Sequence, residues 1–237
     1  VILYLHGGGY ALCSRKTHRG LTSKVAKHSG ARVFAIDYRL APEHVFPCAL
    51  HDSISAYAYI LATAQTDPRK VFIGGDSAGA GLALATALWL RDEGAKHGLP
   101  MPCGVGLMSP WLDLSHSLPS FESMGRYDLL RAKVIDETVI SEERSHFYIR
   151  DNTFLRNPLV SPLFASATDT PLPPLLIQVG SVERLRDESL VFCLDRFPAP
   201  ARVRLEVYEG MVHVFQMLAR LIRVSEVAFE RFGTFAR

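Results

Sequence analysis

Gly75-Asp76-Ser77-Ala78-Gly79 sets a serine among small residues, directly after one apolar run and shortly before a helical one. On a sharp strand-to-helix turn such a serine projects its hydroxyl over the sheet, because small neighbours let chain segments pass without collision. The helix that follows aims its positive end at negative charge developing there. This is the setting a nucleophile requires, although a glycine-rich turn with an incidental serine has the same composition. A second segment, His6-Gly7-Gly8-Gly9-Tyr10, follows the first apolar run. Glycine lets backbone N–H groups approach a reacting atom unhindered, so the amides of Gly8, Gly9 and Ala78 are candidates for holding the oxyanion of an acyl transfer. A phosphate loop is the competing use, but neither Gly-Lys-Ser, Gly-Lys-Thr nor a G-x-G-x-x-G fingerprint opens a helix here. His6 itself reads as a structural hydrogen-bonding residue.

The candidate base is His213, in Glu209-Gly210-Met211-Val212-His213-Val214-Phe215, between the last apolar run and the final helical segment. His18, His28, His44, His51, His97, His116 and His146 lack this placement. A serine, then a carboxylate, then a histidine is a known chain order for nucleophilic catalysis. The carboxylate belongs on the loop Ser181-Val182-Glu183-Arg184-Leu185-Arg186-Asp187-Glu188. Glu183 stands nearest the preceding strand and is preferred. Asp187, the alternative, and Glu188 enter a helical segment, where the helix dipole favours acids without any catalytic role. Tyr10, Trp111 and Phe215 lie beside these loops as candidates for a substrate pocket, against the plainer expectation that each is core.

To act together these residues must share one edge of a sheet. Apolar runs at 1–5, 32–37, 70–74, 104–108, 175–180 and 202–208 read as strands. Amphipathic stretches at 22–28, 48–64, 81–93 and 188–196 read as intervening helices, and 214–232 as one closing helix. Strands alternating with helices predict a mostly parallel sheet covered on both faces, with ligands beyond the carboxyl ends of its strands. The interval 115–159 has no clear strand, suggests helices around 131–150, and reads as an insertion capping the site.

With 237 residues, 48% of them hydrophobic, the chain is long enough for a single domain over 1–237. Its 26 Lys plus Arg against 24 Asp plus Glu form no long runs, so neither nucleic acid nor an anionic membrane is an expected partner. No apolar stretch near Ser77 reaches the roughly 20 residues of a membrane span. Cys13, Cys48, Cys103 and Cys193 lack zinc-site spacing and read as buried free thiols of a reducing, cytoplasmic compartment. Because the sequence opens on Val1 inside a strand, it is expected to begin within a longer protein, and a signal peptide upstream would not be visible.

Through His6-Gly7-Gly8-Gly9-Tyr10, Asp37-Tyr38-Arg39-Leu40-Ala41-Pro42-Glu43, Gly75-Asp76-Ser77-Ala78-Gly79 and Gly210-Met211-Val212-His213, nearly the whole chain resembles the hormone-sensitive-lipase-like, family IV carboxylesterases. The resemblance implies the α/β-hydrolase fold with a helical cap, a serine triad on Ser77 and His213, and an oxyanion hole at Gly8, Gly9 and Ala78. It implies hydrolysis of esters with short to medium acyl chains, without metal or organic cofactor, on a small-molecule ester as partner; a homodimer stays open. Where the family's acid motif often reads Asp-Pro-Leu-Arg-Asp-Glu, this chain has Glu183-Arg184-Leu185-Arg186-Asp187-Glu188, so glutamate replaces aspartate. Similar proteins also have two leading strands and part of the cap upstream, which predicts a partial cap here and a sheet edge at 32–37. Amidase, deacetylase or lactonase activity would use the same triad. A ligand receptor of the same fold, without catalysis, is the reading from another class.

Overall fold

The computed structural model describes residues 1–63, 66–130, 146–168, 170–197, 202–219 and 221–237. Its strands are β1 (Ile2–Leu5), β2 (Val33–Ala35), β3 (Phe72–Asp76), β4 (Gly104–Met108), β5 (Leu175–Gly180) and β6 (Val203–Tyr208). They pair in the order β2-β1-β3-β4-β5-β6, every pairing parallel. β1, β3, β4 and β5 are buried throughout. That explains their unbroken apolar runs, since interior parallel strands are covered on both faces. The edge strands β2 and β6 are only partly covered, with Phe34 and Val207 reaching solvent and Glu206 of β6 buried.

Helices α1 (Arg19–Ser29), α2 (Cys48–Thr63), α3 (Ala78–Asp92), α4 (Ser120–Ser123), α5 (Arg186–Val191) and α6 (Arg223–Phe235) accompany the sheet. Side chains leave a strand on alternate faces. Leu3, Leu5, Ile73, Val105 and Leu107 therefore pack with residues of α2 and α3, whereas Ile2, Tyr4, Phe72 and Met108 pack with α1 and α6. The Phe232 ring of α6 lies over Gly106, where a Cβ would collide with it. α3 is almost entirely buried because its Ala- and Gly-rich sequence lets it cross the sheet closely. A Cβ at Gly79 would run into the carbonyl oxygens of Leu5 and His6.

The structure shifts several expected boundaries. β3 starts later than the expected 70–74 because Pro68–Lys70 forms a single 3-10 turn, capped by Asp67 accepting from the Arg69 amide. α3 begins immediately after Ser77. The closing helix expected over 214–232 is divided into a 3-10 turn, Phe215–Leu218, and α6. Val214 is left-handed and Ile222 extended, so neither continues a helix, and Leu221 becomes 83% exposed instead of joining an apolar face. Most of the helices suggested around 131–150 lies outside the described residues, and 146–150 form turns. The thiols also depart from expectation: Cys193 is buried, but Cys13 and Cys103 are exposed and Cys48 is intermediate. Among the described residues, no helix is long and apolar enough to cross a membrane.

Candidate active site

Parallel pairing brings the carboxyl ends of β1, β3, β4, β5 and β6 to one edge, and the loops leaving them carry the candidate residues. Ser77 follows β3 with φ 51° and ψ −124°, a conformation that strains a non-glycine residue. Its amide donates to the Met108 carbonyl at 2.9 Å, and its own carbonyl accepts from the Trp111 amide at 3.1 Å. Ser109 (φ 46°) and Val214 (φ 47°) also have positive φ, Val214 in the left-handed region that a β-branched residue rarely adopts. Such clustering of strained backbone is held in place by the surrounding hydrogen bonds.

His213 Nε2 stands 2.9 Å from Ser77 Oγ, and its Nδ1 stands 3.1 Å from Glu183 Oε2. A carboxylate only accepts, so Nδ1 carries the proton and neutral Nε2 presents a lone pair to the serine hydroxyl. Glu183 is completely buried. Its other oxygen accepts from the Ser109 hydroxyl at 2.7 Å and the Gly180 amide at 2.5 Å. Ser109 in turn accepts from the Val214 amide at 3.0 Å, and the His213 amide donates to Asp128 at 2.9 Å. Burial by itself would lower the His213 pKa, but the Glu183 hydrogen bond and charge, aided by Asp128 and Asp76, outweigh it and raise the pKa above the ordinary value.

The other two carboxylates of the loop face elsewhere. Asp187 accepts from the Ser120 amide at 2.9 Å and pairs with Arg186. Glu188 accepts from the amides of Leu112 and Asp113. Burial, with the nearby Asp113 charge, holds the Glu188 carboxyl well above the usual range. Only Glu183 of the three reaches His213.

A largely apolar cavity of about 310 Å³ opens beside Ser77 and His213, with Gly8, Gly9, Trp111 and Met217 in its wall. Ala78, the third oxyanion candidate, is the first residue of α3 and fully buried next to Ser77. Of the three pocket candidates, Trp111 lines this cavity and the other two require correction. Tyr10 turns into the core and stacks on Tyr148 at 3.9 Å, and fully buried Phe215 packs on Tyr208 at 4.9 Å. Their neighbouring loops reach the cavity, but their rings fill space beneath it. From the interval 115–159, His116, Leu130 and Phe147 contribute to the wall.

Sequence reasoning passed over Ser109, Asp128 and the pair of His18 with Asp76. Ser109 had a signal, its place at the carboxyl end of a strand. Asp128 had none, lying inside an interval without regular periodicity. His18 does not follow a strand end in the sequence, yet it lines the cavity together with Asp76.

A serine, an imidazole and a buried carboxylate in hydrogen-bonded series can remove a proton from the hydroxyl as it attacks a carbonyl. Relatives of this chain carry names consistent with that chemistry. The family profile described as alpha/beta hydrolase fold matches residues 2–217. An acetyl-hydrolase of Streptomyces hygroscopicus is 37% identical over 236 residues, covering 100% of this chain and 75% of that protein. The crystal structure of EstE5 soaked with p-nitrophenyl butyrate superposes with a TM-score of 0.87 at 35% identity, covering 100% of this chain and 75% of that one. A hormone-sensitive lipase from a metagenome library gives 0.86 at 36% identity, covering 99% and 75%. With the parallel sheet, the profile and these relatives in agreement, the chain belongs to the α/β-hydrolase fold family, as a carboxylic ester hydrolase of its hormone-sensitive-lipase-like branch.

Proposed function

We propose that this enzyme hydrolyses carboxylic esters of short to medium acyl chains through an acyl-enzyme on Ser77. The observation that carries this reading is the unbroken series Ser77, His213, Glu183, at 2.9 and 3.1 Å, whose first two members line an apolar cavity. His213 takes the serine proton as Oγ attacks the ester carbonyl, while Glu183 fixes the tautomer and stabilises the imidazolium. The amides of Gly8, Gly9 and Ala78 hold the tetrahedral oxyanion. Collapse expels the alcohol, which receives its proton from His213. Water activated by the same imidazole then releases the acid and restores Ser77. His116, Leu130 and Phe147, from the described parts of the interval 115–159, line the cavity, which supports the reading of that interval as a cap. That similar proteins are named acetyl-hydrolase, or were soaked with a butyrate ester, supports small acyl groups.

Labelling with a fluorophosphonate tests this directly. The reagent is expected to modify Ser77 alone and to abolish hydrolysis of p-nitrophenyl butyrate, with Ser77→Ala neither labelled nor active. Undiminished turnover by Ser77→Ala would place the chemistry elsewhere.

A further inference from the structure

Asp76 and His18 have no part in the steps above, yet both face the cavity beside Ser77, and each side chain is only 2% exposed. Burying ionisable groups so deeply is unfavourable unless their hydrogen bonds are satisfied. The Asp76 carboxylate accepts from the Tyr4 hydroxyl at 2.9 Å and from His18 Nε2 at 3.2 Å. A carboxylate has no proton to give, so Nε2 is the donor. His18 Nδ1 lies 2.9 Å from Thr17 Oγ1 and 3.3 Å from the Ser14 carbonyl oxygen. Thr17 Oγ1 gives its own hydrogen to that carbonyl at 2.8 Å, leaving a lone pair toward Nδ1. The Ser14 carbonyl can only accept, so its contact with Nδ1 and that of Asp76 with Nε2 fit a ring that donates from both nitrogens, an imidazolium. Burial would lower the His18 pKa, but its hydrogen bond to Asp76 and the charge of that carboxylate reverse the direction and raise it.

This ion pair sits directly beneath the glycine turn. A Cβ on Gly7 would collide with the Asp76 carboxylate, so the turn rests against the carboxylate itself. His18 also joins the loop through Ser14 and Thr17 to the start of α1. On its other side lies the His6 ring at 5.5 Å, which stacks on Tyr38 at 4.4 Å. The Tyr38 hydroxyl donates to the His6 carbonyl at 2.6 Å. We propose that His18, as an imidazolium paired with Asp76, is a positioning residue that holds the glycine turn against the Ser77 elbow and keeps the oxyanion amides aimed. This role rests on the acyl-transfer reading of Ser77.

The titratable groups facing the pair are Tyr4, His6 and Tyr38, with Cys13 and His213 on the same cavity. Burial raises the pKa of Tyr4 and Tyr38 far above the ordinary phenol range, so both are neutral throughout the working range. Burial lowers that of His6, which is neutral when His213 is active.

His18→Gln retains a donor but no charge. Its kcat on p-nitrophenyl butyrate should fall about 10²-fold, the scale of an ångström-sized displacement of catalytic groups. KM should change far less than kcat, within about twofold, because the oxyanion amides are called on only as the tetrahedral intermediate forms. Asp76→Asn should show the same loss, and the double variant no more than either alone, since the two act as one unit. The parent should also lose kcat at alkaline pH as His18 gives up its proton, a limb that His18→Gln should lack. A folded His18→Gln with parental kcat, or with raised KM alone, overturns the proposal while leaving Ser77 in place. Activity retained by Ser77→Ala removes the acyl-transfer reading instead, whatever His18 does. If His18→Gln does not fold, nitrogen NMR of the ring in the parent decides. Two protonated nitrogens at neutral pH are expected, and one bare nitrogen overturns the imidazolium.

Discussion

Glu183 and Asp187 stand four positions apart on one loop, and the difference between their surroundings leads to opposite expectations. Glu183 is closed in by Ser109, the Gly180 amide and His213, whereas Asp187 ties the Ser120 amide to α5. Glu183→Ala should lower kcat by up to about 10⁴-fold with KM nearly unchanged, the scale seen when a triad acid is neutralised. Asp187→Ala should instead cost about 1–2 kcal/mol of stability through the lost hydrogen bond and leave kcat close to the parent value. Thermal unfolding and steady-state kinetics of the two variants separate these outcomes, and an inactive but folded Asp187→Ala would reverse the assignment. The parent pH profile carries the same information. As the base, His213 must be neutral, and its pKa is raised, so kcat/KM should climb with pH around a midpoint above the ordinary histidine value of about 6.5. The folding linkage has the opposite sign. A pKa raised in the folded state stabilises fully below the unfolded value, and that contribution is lost as pH rises through the folded one. A kcat/KM midpoint at or below the ordinary value would contradict the Glu183 contact.

At the scale of elements, one close crossing governs the site. α3 approaches β1 at Gly79, where the carbonyls of Leu5 and His6 occupy the space a side chain would need. The same crossing presses the serine elbow against the glycine turn. Gly79→Ala should therefore destabilise by about 3 kcal/mol, the upper end of the usual overpacking range, since backbone cannot move aside as a side chain can. Urea unfolding measures this, and an unchanged midpoint would show that the crossing has slack. The alternation of apolar runs with helical stretches was enough to locate the six strands of the described residues, and most plainly the four interior ones, which are covered on both faces. Ends were less legible. The break between Phe215–Leu218 and α6 is set by the left-handed Val214, which the neighbouring His213 loop demands and which helical periodicity does not reveal.

For the molecule as a whole, the sheet places β2 and β6 at its edges and the candidate site along its carboxyl edge, with Ser77 after β3, Glu183 after β5 and His213 after β6. The cavity there, at about 310 Å³, lies near the lower end of small-molecule pockets and is mostly apolar. Across p-nitrophenyl esters of increasing acyl length, kcat/KM should peak at short to medium chains and decline for long ones. Faster turnover of long-chain emulsions than of soluble butyrate would contradict the size argument. The chain covers 75% of the length of the Streptomyces hygroscopicus acetyl-hydrolase and 75% of the EstE5 chain.

The amino-acid sequence by itself determined the fold class, the serine elbow, the glycine turn and the histidine loop. Each depends on local features: apolar runs, small residues at a sharp turn, and position next to a strand end. Only the tertiary structure decided which of three neighbouring carboxylates meets His213, because a loop can present any of them until packing buries one. It likewise turned Tyr10 and Phe215 into the core while leaving Trp111 on the cavity. The pairing of His18 with Asp76, 58 positions apart, was also beyond local pattern. Such contacts arise where separate loops converge at one sheet edge, and their partners are fixed by three-dimensional closure, which no spacing along the chain encodes.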